Sequence, residues 1–378
     1  MKTVYAGMSG GVDSSVAALL LKEQGYHVVG VYMKNWSQDL PGMKCPWAND
    51  LADAKRVAVK LGIDFEVWDF EKEYREKVVD YMLREFRAGN TPNPDVMCNQ
   101  EIKFKLFYEK AMEAGADYIA TGHYARVRQL SSSCAQLLRA VDENKDQTYF
   151  LYRISDEALA HTLFPIGEMM KPDVKKYAEK HGLHNAYKKE SMGVCFVGEV
   201  GMKDFLKEYI DTNPGEIREI ESDKVLGYHE GAVFYTIGQR HGLYLEGEKG
   251  VVNEGLPYYV VKKDIKKNIV YVSKNLNHQA IWTKELKLKE LFFRSGSRRS
   301  RPSPRGSRAN SRAAALRNSP NQKKSSSVFV RLRHRAPLIP AVFDSDTLHF
   351  ENEIKRPASG QSAVLYDNEI CLGGGIIA

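Results

Sequence analysis

Short apolar runs alternate with amphipathic stretches through the first half of the 378-residue chain. Val4–Met8, His27–Met33, Ile63–Phe70 and Tyr118–Gly122 predict strands. Between them, Ser14–Gln24 predicts a helix whose apolar face is Val16, Ala17, Leu19, Leu20 and Leu21, and Asp50–Leu61 and Tyr74–Ala88 predict two more. Strands alternating with helices predict an α/β fold on a doubly wound parallel sheet. Ligands of such sheets sit beyond the carboxyl ends of the strands, so chemistry is expected there.

Beyond residue 202 the helical period gives way to short β-rich runs, among them Val233–Ile237, Tyr258–Lys262, Ile269–Val272 and Ala363–Tyr366, with Gly and Asn turns between them. This predicts two small β-rich domains after the α/β body, divided as 1–202, 203–280 and 281–378. Inside the last, residues 294–327 are rich in Arg and Ser and broken by Pro302, Pro304 and Pro320. Such a stretch buries too little apolar area to offset its chain entropy and is expected to be disordered. It reads as an insertion or as a locally frame-shifted passage, since strand-like sequence resumes at Val328.

The charge changes the picture less than its total suggests. The whole chain carries +7, but residues 294–327 hold eight Arg, two Lys and no acid, so the remainder carries −3. Any nucleic-acid surface on the folded body must therefore be a local patch. No apolar run reaches the roughly 20 residues that a membrane helix needs, and the chain enters a strand at Thr3 without a leader. Together these predict a cytoplasmic protein with no membrane partner. The five cysteines, Cys45, Cys98, Cys134, Cys195 and Cys371, form no Cys-x-x-Cys pair. That argues against a disulfide scaffold and a zinc ribbon, and no metal ligand set is expected.

Chemistry enters where the first strand ends, at Gly7-Met8-Ser9-Gly10-Gly11-Val12-Asp13-Ser14-Ser15, with a helix directly behind. Glycines let the backbone approach a phosphate, and the first helical amides and the helix dipole favour an anion. There is no Gly-Lys-Ser/Thr, so the loop is not built for γ-phosphoryl transfer. Ser-Gly-Gly-x-Asp-Ser in this setting resembles the pyrophosphatase loop of the adenine nucleotide α-hydrolase group. That resemblance implies cleavage of ATP between its α and β phosphates with adenylyl transfer to a substrate oxygen. The group's loop leaves the incoming nucleophile open: ammonia, an amino acid or sulfur.

Two cysteines are candidates to carry sulfur. Cys98 follows Asn90-Thr91-Pro92-Asn93-Pro94-Asp95-Val96-Met97 and precedes a predicted helix over Glu101–Ala114, which Asp95 or Asn99 is placed to cap. A thiol near a helix N-terminus has a lowered pKa and more thiolate, and Lys103 and Lys105 add positive charge. Cys195 sits between Gly193 and Gly198 in an apolar segment. On residue type alone each cysteine reads as readily as a small buried hydrophobe.

Longer motifs separate the readings. Pro92-Asn93-Pro94-Asp95 with Cys98-Asn99 and Ile102-Lys103-Phe104, Gly193-x-Cys195-Phe196-x-Gly198, Ala120–Ala125, Lys145–Leu151, Tyr235–Leu243, Gly360–Tyr366 and Cys371–Ile377 together resemble the tRNA-specific 2-thiouridylase family. The likeness spans nearly the whole chain apart from 294–327. It implies that ATP with Mg²⁺ binds Gly7, Met8, Ser9, Gly10, Gly11, Val12, Asp13 and Ser14, with Met33 and Gly122 beside it. It further implies that Asn93, Pro94 and Asp95 receive the flipped-out wobble uridine, and that Cys195 carries a persulfide delivered by a cysteine desulfurase or sulfur-relay protein. Cys98 is then the nucleophile that resolves it, leaving a Cys98–Cys195 disulfide, with Asp95 positioning the base or shuttling a proton. His123, Lys145, Asp146, Gln147, Arg333, His334 and Gln361 match positions that touch tRNA, His334 standing where the family has Tyr. Cys45, Cys134 and Cys371 read as bystanders. The competing readings are a ligase of the same loop group, making an amide or lysidine with a nitrogen nucleophile, and a non-catalytic tRNA-binding protein that holds ATP as a structural ligand.

Overall fold

Strand β1 (Thr3–Gly7) sits in the middle of a five-stranded sheet because both its faces are apolar and both become covered. The computed structural model describes residues 1–39, 45–189, 201–243, 245, 257–275, 277–295 and 326–378. After β1 come helix α1 (Val12–Glu23), β2 (His27–Lys34), helix α2 (Trp47–Leu61), β3 (Asp64–Asp69), β4 (Tyr118–Ala120), a hairpin of β5 (Ala125–Ser131) and β6 (Cys134–Arg139), and β7 (Thr162–Leu163). The sheet order is β3-β2-β1-β4-β7 and all its pairings are parallel. Val4, Ala6 and Val28 pack with Val16, Leu19 and Leu21 of α1 on one face, while Tyr5, Val29 and Val31 pack with Trp68, Phe107 and Ile119 on the other. The doubly wound parallel sheet expected from the alternation is thus present, and its strand order reverses between β1 and β4.

The long helical run expected over Tyr74–Ala88 starts earlier, at Glu71. It passes through wide π-type turns at Arg75–Val79 before Asp80–Arg87. A second wide stretch, Cys98–Leu106, carries a non-helical Phe104 (φ −112°, ψ 16°) and leads into Phe107–Glu113. π-type turns of this kind often mark functional sites.

The next unit is a four-stranded sheet of β8 (Gly215–Glu219), β9 (Val225–His229), β10 (Tyr259–Asp264) and β11 (Ile269–Ser273), ordered β10-β11-β8-β9. The strand expected at Val233–Ile237 is instead a 3₁₀ turn, Ala232–Phe234, running into extended chain. Its backbone groups go to side chains rather than to a ladder: Ala232 N donates to Asn268 Oδ1 (2.9 Å) and Thr236 N to Gln239 Oε1 (3.0 Å).

The C-terminal strands β12 (Trp282–Phe293), β13 (Ser326–Arg331), β14 (Ile339–Asp344), β15 (Thr347–Lys355), β16 (Ser362–Asp367) and β17 (Ile370–Ile377) run β12-β15-β14-β13-β16-β17, and β17 pairs back onto β12 to close a barrel. Leu286, Leu288, Val330, Leu348 and Leu365 fill it. Residues 296–325 of the Arg/Ser-rich stretch lie outside the described residues. Its ends do not, and the expected limits of disorder are too wide: Arg294 is buried, and Ser326 and Ser327 already belong to β13.

The hairpin β5–β6 was not expected. It leaves the α/β body and adds to the barrel sheet, with Cys371 of β17 opposite Leu137 of β6. Glu369 fastens the junction by accepting from Arg126 (2.8 Å) and from Arg128. A hairpin from the chain of the α/β body thus extends the barrel sheet, which joins the two units by strand pairing as well as by chain connection.

A candidate nucleotide and base site

The phosphate loop lies where β1 ends, at the reversal of strand order. Ser14 organises it from the helix side: its hydroxyl donates to Gly11 O (3.0 Å) and accepts from Ser9 N (3.2 Å). Gly10 has φ +76°, a left-handed conformation, and a Cβ there would run into the Asp50 carbonyl. Gly122, just past β4, faces the loop so closely that a Cβ would lie 2.6 Å from Ser14 N. Both glycines are thus required by close backbone approach. Asn185 closes the loop from behind, donating to Gly10 O and Ser15 Oγ at 2.9 Å each.

Around the loop opens a cleft of about 400 Å³, within the range of small-molecule sites. Gly7, Met8, Ser9, Gly11, Val12, Asp13 and Ser14 line one wall; Met33, Trp36, Trp47, Lys103, Gly122, His123, Gln147, Lys188 and Lys189 complete it. All the nucleotide residues expected from sequence except Gly10 line this cleft directly, and Gly10 shapes the turn between them. Lys188, Lys189 and the two tryptophans were not singled out by sequence reading. Cys45, read there as a bystander, also lines the cleft; its Sγ donates to Trp36 O (3.6 Å), and burial raises its thiol pKa.

Asp13 is committed within the protein. Lys171 Nζ lies 2.7 Å from each of its carboxylate oxygens, and Tyr124 OH donates to Oδ1 at 3.0 Å. Lys188 is held similarly by Asp50 (2.8 Å) and Asp53 (2.7 Å). These ion pairs keep carboxylates from repelling a polyphosphate while leaving the loop amides to meet it.

Asn93 caps the short helix Pro94–Met97, accepting from Val96 N at 3.4 Å. Asp95 and Asn99, expected to cap a helix beginning at Glu101, instead lie inside a helical run that has already begun at Pro94, and Asn99 is buried with Nδ2 on Phe150 O (3.2 Å). Burial raises the Asp95 pKa, with Lys103 opposing. Cys98 lies where this helix runs on into the wide stretch Cys98–Leu106, within the helical run rather than ahead of its first turn, and it is buried at 3% exposure. Lys105, expected to help it, pairs with Glu101 (3.3 Å) on an exposed face instead. Lys103 is the lysine that reaches the cleft, where its charge also bears on His123. His123 packs between Phe104 and Phe164 and bonds Thr121 Oγ1 (2.7 Å); burial, then Lys103, holds its pKa well below 6.5, so it stays neutral. Cys195 lies outside the described residues.

The expected RNA contacts divide by burial. Arg333 is exposed, Lys145 is half-buried, and Gln147, also half-buried, lines the cleft. Asp146 is 1% exposed. It accepts from Arg331 Nη1 (2.6 Å), Thr148 Oγ1 (3.0 Å) and Ala140 N (3.2 Å), so its carboxylate is a strut between body and barrel. The His334 ring lies 4.6 Å from that of Phe150 at a tilt of 44°, and burial with Arg335 and Arg331 lowers its pKa to about 4. Gln361 donates to Thr91 O (2.7 Å), which ties the barrel to the segment before Asn93.

Comparison with known proteins agrees with this layout. Residues 2–199 match the family profile described as tRNA methyl transferase HUP domain, 203–274 its PRC-barrel domain, and 311–377 the aminomethyltransferase β-barrel domain. The tRNA-specific 2-thiouridylase MnmA of Idiomarina loihiensis is 44% identical over 382 residues, covering 100% of this chain and 96% of its own length. MnmA 1 of Geobacillus kaustophilus is 45% identical over 376 residues, covering 100% of this chain and 95% of its own. That of Nitrosomonas europaea is 44% identical over 377 residues, with 99% and 97% covered. With such identity sustained from end to end, the chain belongs to the tRNA-specific 2-thiouridylase family.

Proposed function

We propose that the chain is an ATP-dependent tRNA-uridine 2-sulfurtransferase acting on the wobble uridine, and that it works in the cytoplasm. One observation carries the reading: the helical run that begins at Asn93 and contains Asp95 and Cys98 delivers Lys103 into the same cleft as the phosphate loop. Cys98 does not itself line that cleft; it opens the stretch whose Lys103 does, so one helical run serves both adenylation and the sulfur chemistry. The profile descriptions speak of methyl transfer, but a loop of this kind serves adenylation, and the family relatives are thiouridylases.

The loop amides and Lys103, Lys188 and Lys189 hold the ATP phosphates. Mg²⁺ brought in with ATP would neutralise phosphate charge, while the loop's own carboxylate, Asp13, is held by Lys171 and Tyr124. The uridine, extruded from its stack, is received by Asn93, Pro94 and Asp95. Its O2 attacks the α phosphorus and pyrophosphate leaves. The terminal sulfur of a Cys195 persulfide, loaded by a donor protein, attacks C2 and AMP leaves. Cys98 thiolate then attacks the Cys195 sulfur, which releases the 2-thiouridine and forms a disulfide that a thiol reductant opens for the next turnover. Lys145, Gln147, Arg333, His334 and Gln361 lie where tRNA approaches, while Asp146 holds Arg331 beneath them. Among the described residues no helix is long and apolar enough to cross a membrane.

The test is mass analysis of tRNA nucleosides after incubation with ATP, a persulfide donor (a cysteine desulfurase with free cysteine), a thiol reductant and the purified protein; 2-thiouridine formed only with ATP is the expected product, and its absence with intact tRNA refutes the reading. Asp95 gives a second check. Its folded pKa is raised, so its contribution to stability is greatest below the ordinary 3.8 and is lost as pH rises through the folded value. Asp95→Asn is expected to melt at or above the wild type at pH 8, with the difference vanishing in acid. Its thiolation rate should fall about 100-fold, the range for loss of a proton-transfer group. Melting curves across pH and a rate assay read the two effects separately.

A further inference from the structure

The segment that delivers Cys98 is held from two sides by β domains. The helix Asp80–Arg87 ends at Gly89, whose φ of +83° turns the chain into Asn90-Thr91-Pro92. From the barrel side, Ser359 O accepts from Thr91 N (2.8 Å), Gln361 Nε2 donates to Thr91 O (2.7 Å), and Tyr149, bonded to Ser362 O (3.0 Å), reaches Asn93. From the central sheet, Lys263 Nζ donates to Gly89 O (2.9 Å) and to Tyr235 O (2.7 Å), and Ile265 packs over Gly89 so tightly that a Cβ there would lie 2.7 Å from its Cγ1.

Lys263 is in this position only because of a bulge. In β10, Val260 opposes Val272 and Lys262 opposes Tyr271, which leaves Val261 as the extra residue. Lys263 consequently opposes Val270 and shares its core-facing side, whereas unbroken alternation from Val260 would send it to solvent. An ammonium placed against a core face with two carbonyls and no carboxylate bonded to it costs stability, and burial lowers its pKa to about 8. An apolar side chain at this point would leave the Gly89 and Tyr235 carbonyls without this donor, so the position calls for a long side chain that reaches both.

We propose that Lys263 is a positioning residue for sulfur transfer, holding the Gly89–Pro92 strap so that Asn93, Asp95 and Cys98 keep their place at the head of the helical run that carries Lys103 into the ATP cleft. The proposal rests on the thiolation reading above and deepens it by giving the central sheet a task in that reaction. The strap does not line the nucleotide cleft, so its loosening acts on the transfer step and spares ATP binding.

Lys263→Met keeps the stem and removes the donor. Misplacement of reacting groups by about 1 Å costs on the order of 100-fold, and the expected result is a 10- to 100-fold fall in kcat for 2-thiouridine formation. KM for ATP and tRNA-free ATP affinity should stay within about twofold of wild type, and Lys263→Arg, which retains donors, should recover most of the loss. Wild-type kcat in Lys263→Met, or a parallel loss of ATP affinity in that variant, overturns the proposal. If the Met variant fails to fold, Lys263→Gln, which reaches one carbonyl at most, is measured instead, and the same kcat-only deficit decides the matter. A wild-type protein that forms no 2-thiouridine in the same assay counts against the thiolation reading and leaves the Lys263 comparison without a reaction to position, so the two failures are told apart by the wild-type lane.

Discussion

Cys98→Ser is expected to lose thiolation by at least about 1,000-fold, the scale seen when a covalent nucleophile is removed, while ATP still binds. Ser is nearly isosteric with Cys, and the site is 3% exposed in a core that includes Val96, Ile102 and Phe104, so the fold tolerates the exchange. What goes is the thiolate. Without it a persulfide already attached to C2 through Cys195 has no partner to release it, and turnover stops after the first sulfur is delivered. The check is to measure thiolated nucleoside alongside pyrophosphate released in the presence of tRNA. Pyrophosphate release with little thiolated product supports the assigned order of steps. Full activity in the serine variant removes Cys98 from the chemistry and returns the nitrogen-nucleophile ligase to consideration.

Asp146→Ala is expected to cost about 3–5 kcal/mol of folding stability, the range for leaving a buried charge unpaired. The Arg331 side chain is 5% exposed and the Asp146 carboxylate 0%, and they meet at 2.6 Å across the junction of body and barrel. Removal of the carboxylate strands Arg331 and also frees Thr148 Oγ1 and Ala140 N. The double variant with Arg331→Met should recover much of the loss, since a buried pair replaced by apolar groups is often neutral. Denaturant unfolding of the single and double variants measures this directly. An Asp146→Ala protein as stable as wild type shows that the carboxylate is not the strut described, and a contact with tRNA then becomes its better role.

Asp146 also shows where sequence reading stops. Lys145-Asp146-Gln147 looks like a polar surface turn, and its match to an RNA-contacting loop is drawn from a linear motif. Nothing local announces that an arginine 185 positions away bends the middle residue inward. The same holds for the start of the helix before Cys98: sequence reading places it at Glu101 with Asp95 or Asn99 as cap, whereas the run begins at Pro94 under an Asn93 cap and Asn99 is buried on Phe150 O.

By itself the sequence determined what depends on neighbours along the chain. The phosphate loop was legible because Gly10 and Ser14 do their work within a few residues, and the alternating strands and helices announced the parallel sheet because each must bury its own apolar face. The motif around Cys98 also singled out that cysteine as one to test. Only the tertiary structure decided the partners that meet from afar: the β5–β6 hairpin on the barrel, Lys171 on Asp13, and Lys263 turned to the core by one extra residue in β10. These rest on pairing between distant segments, where a shift of one residue reverses a side chain's face, and no local pattern records that shift.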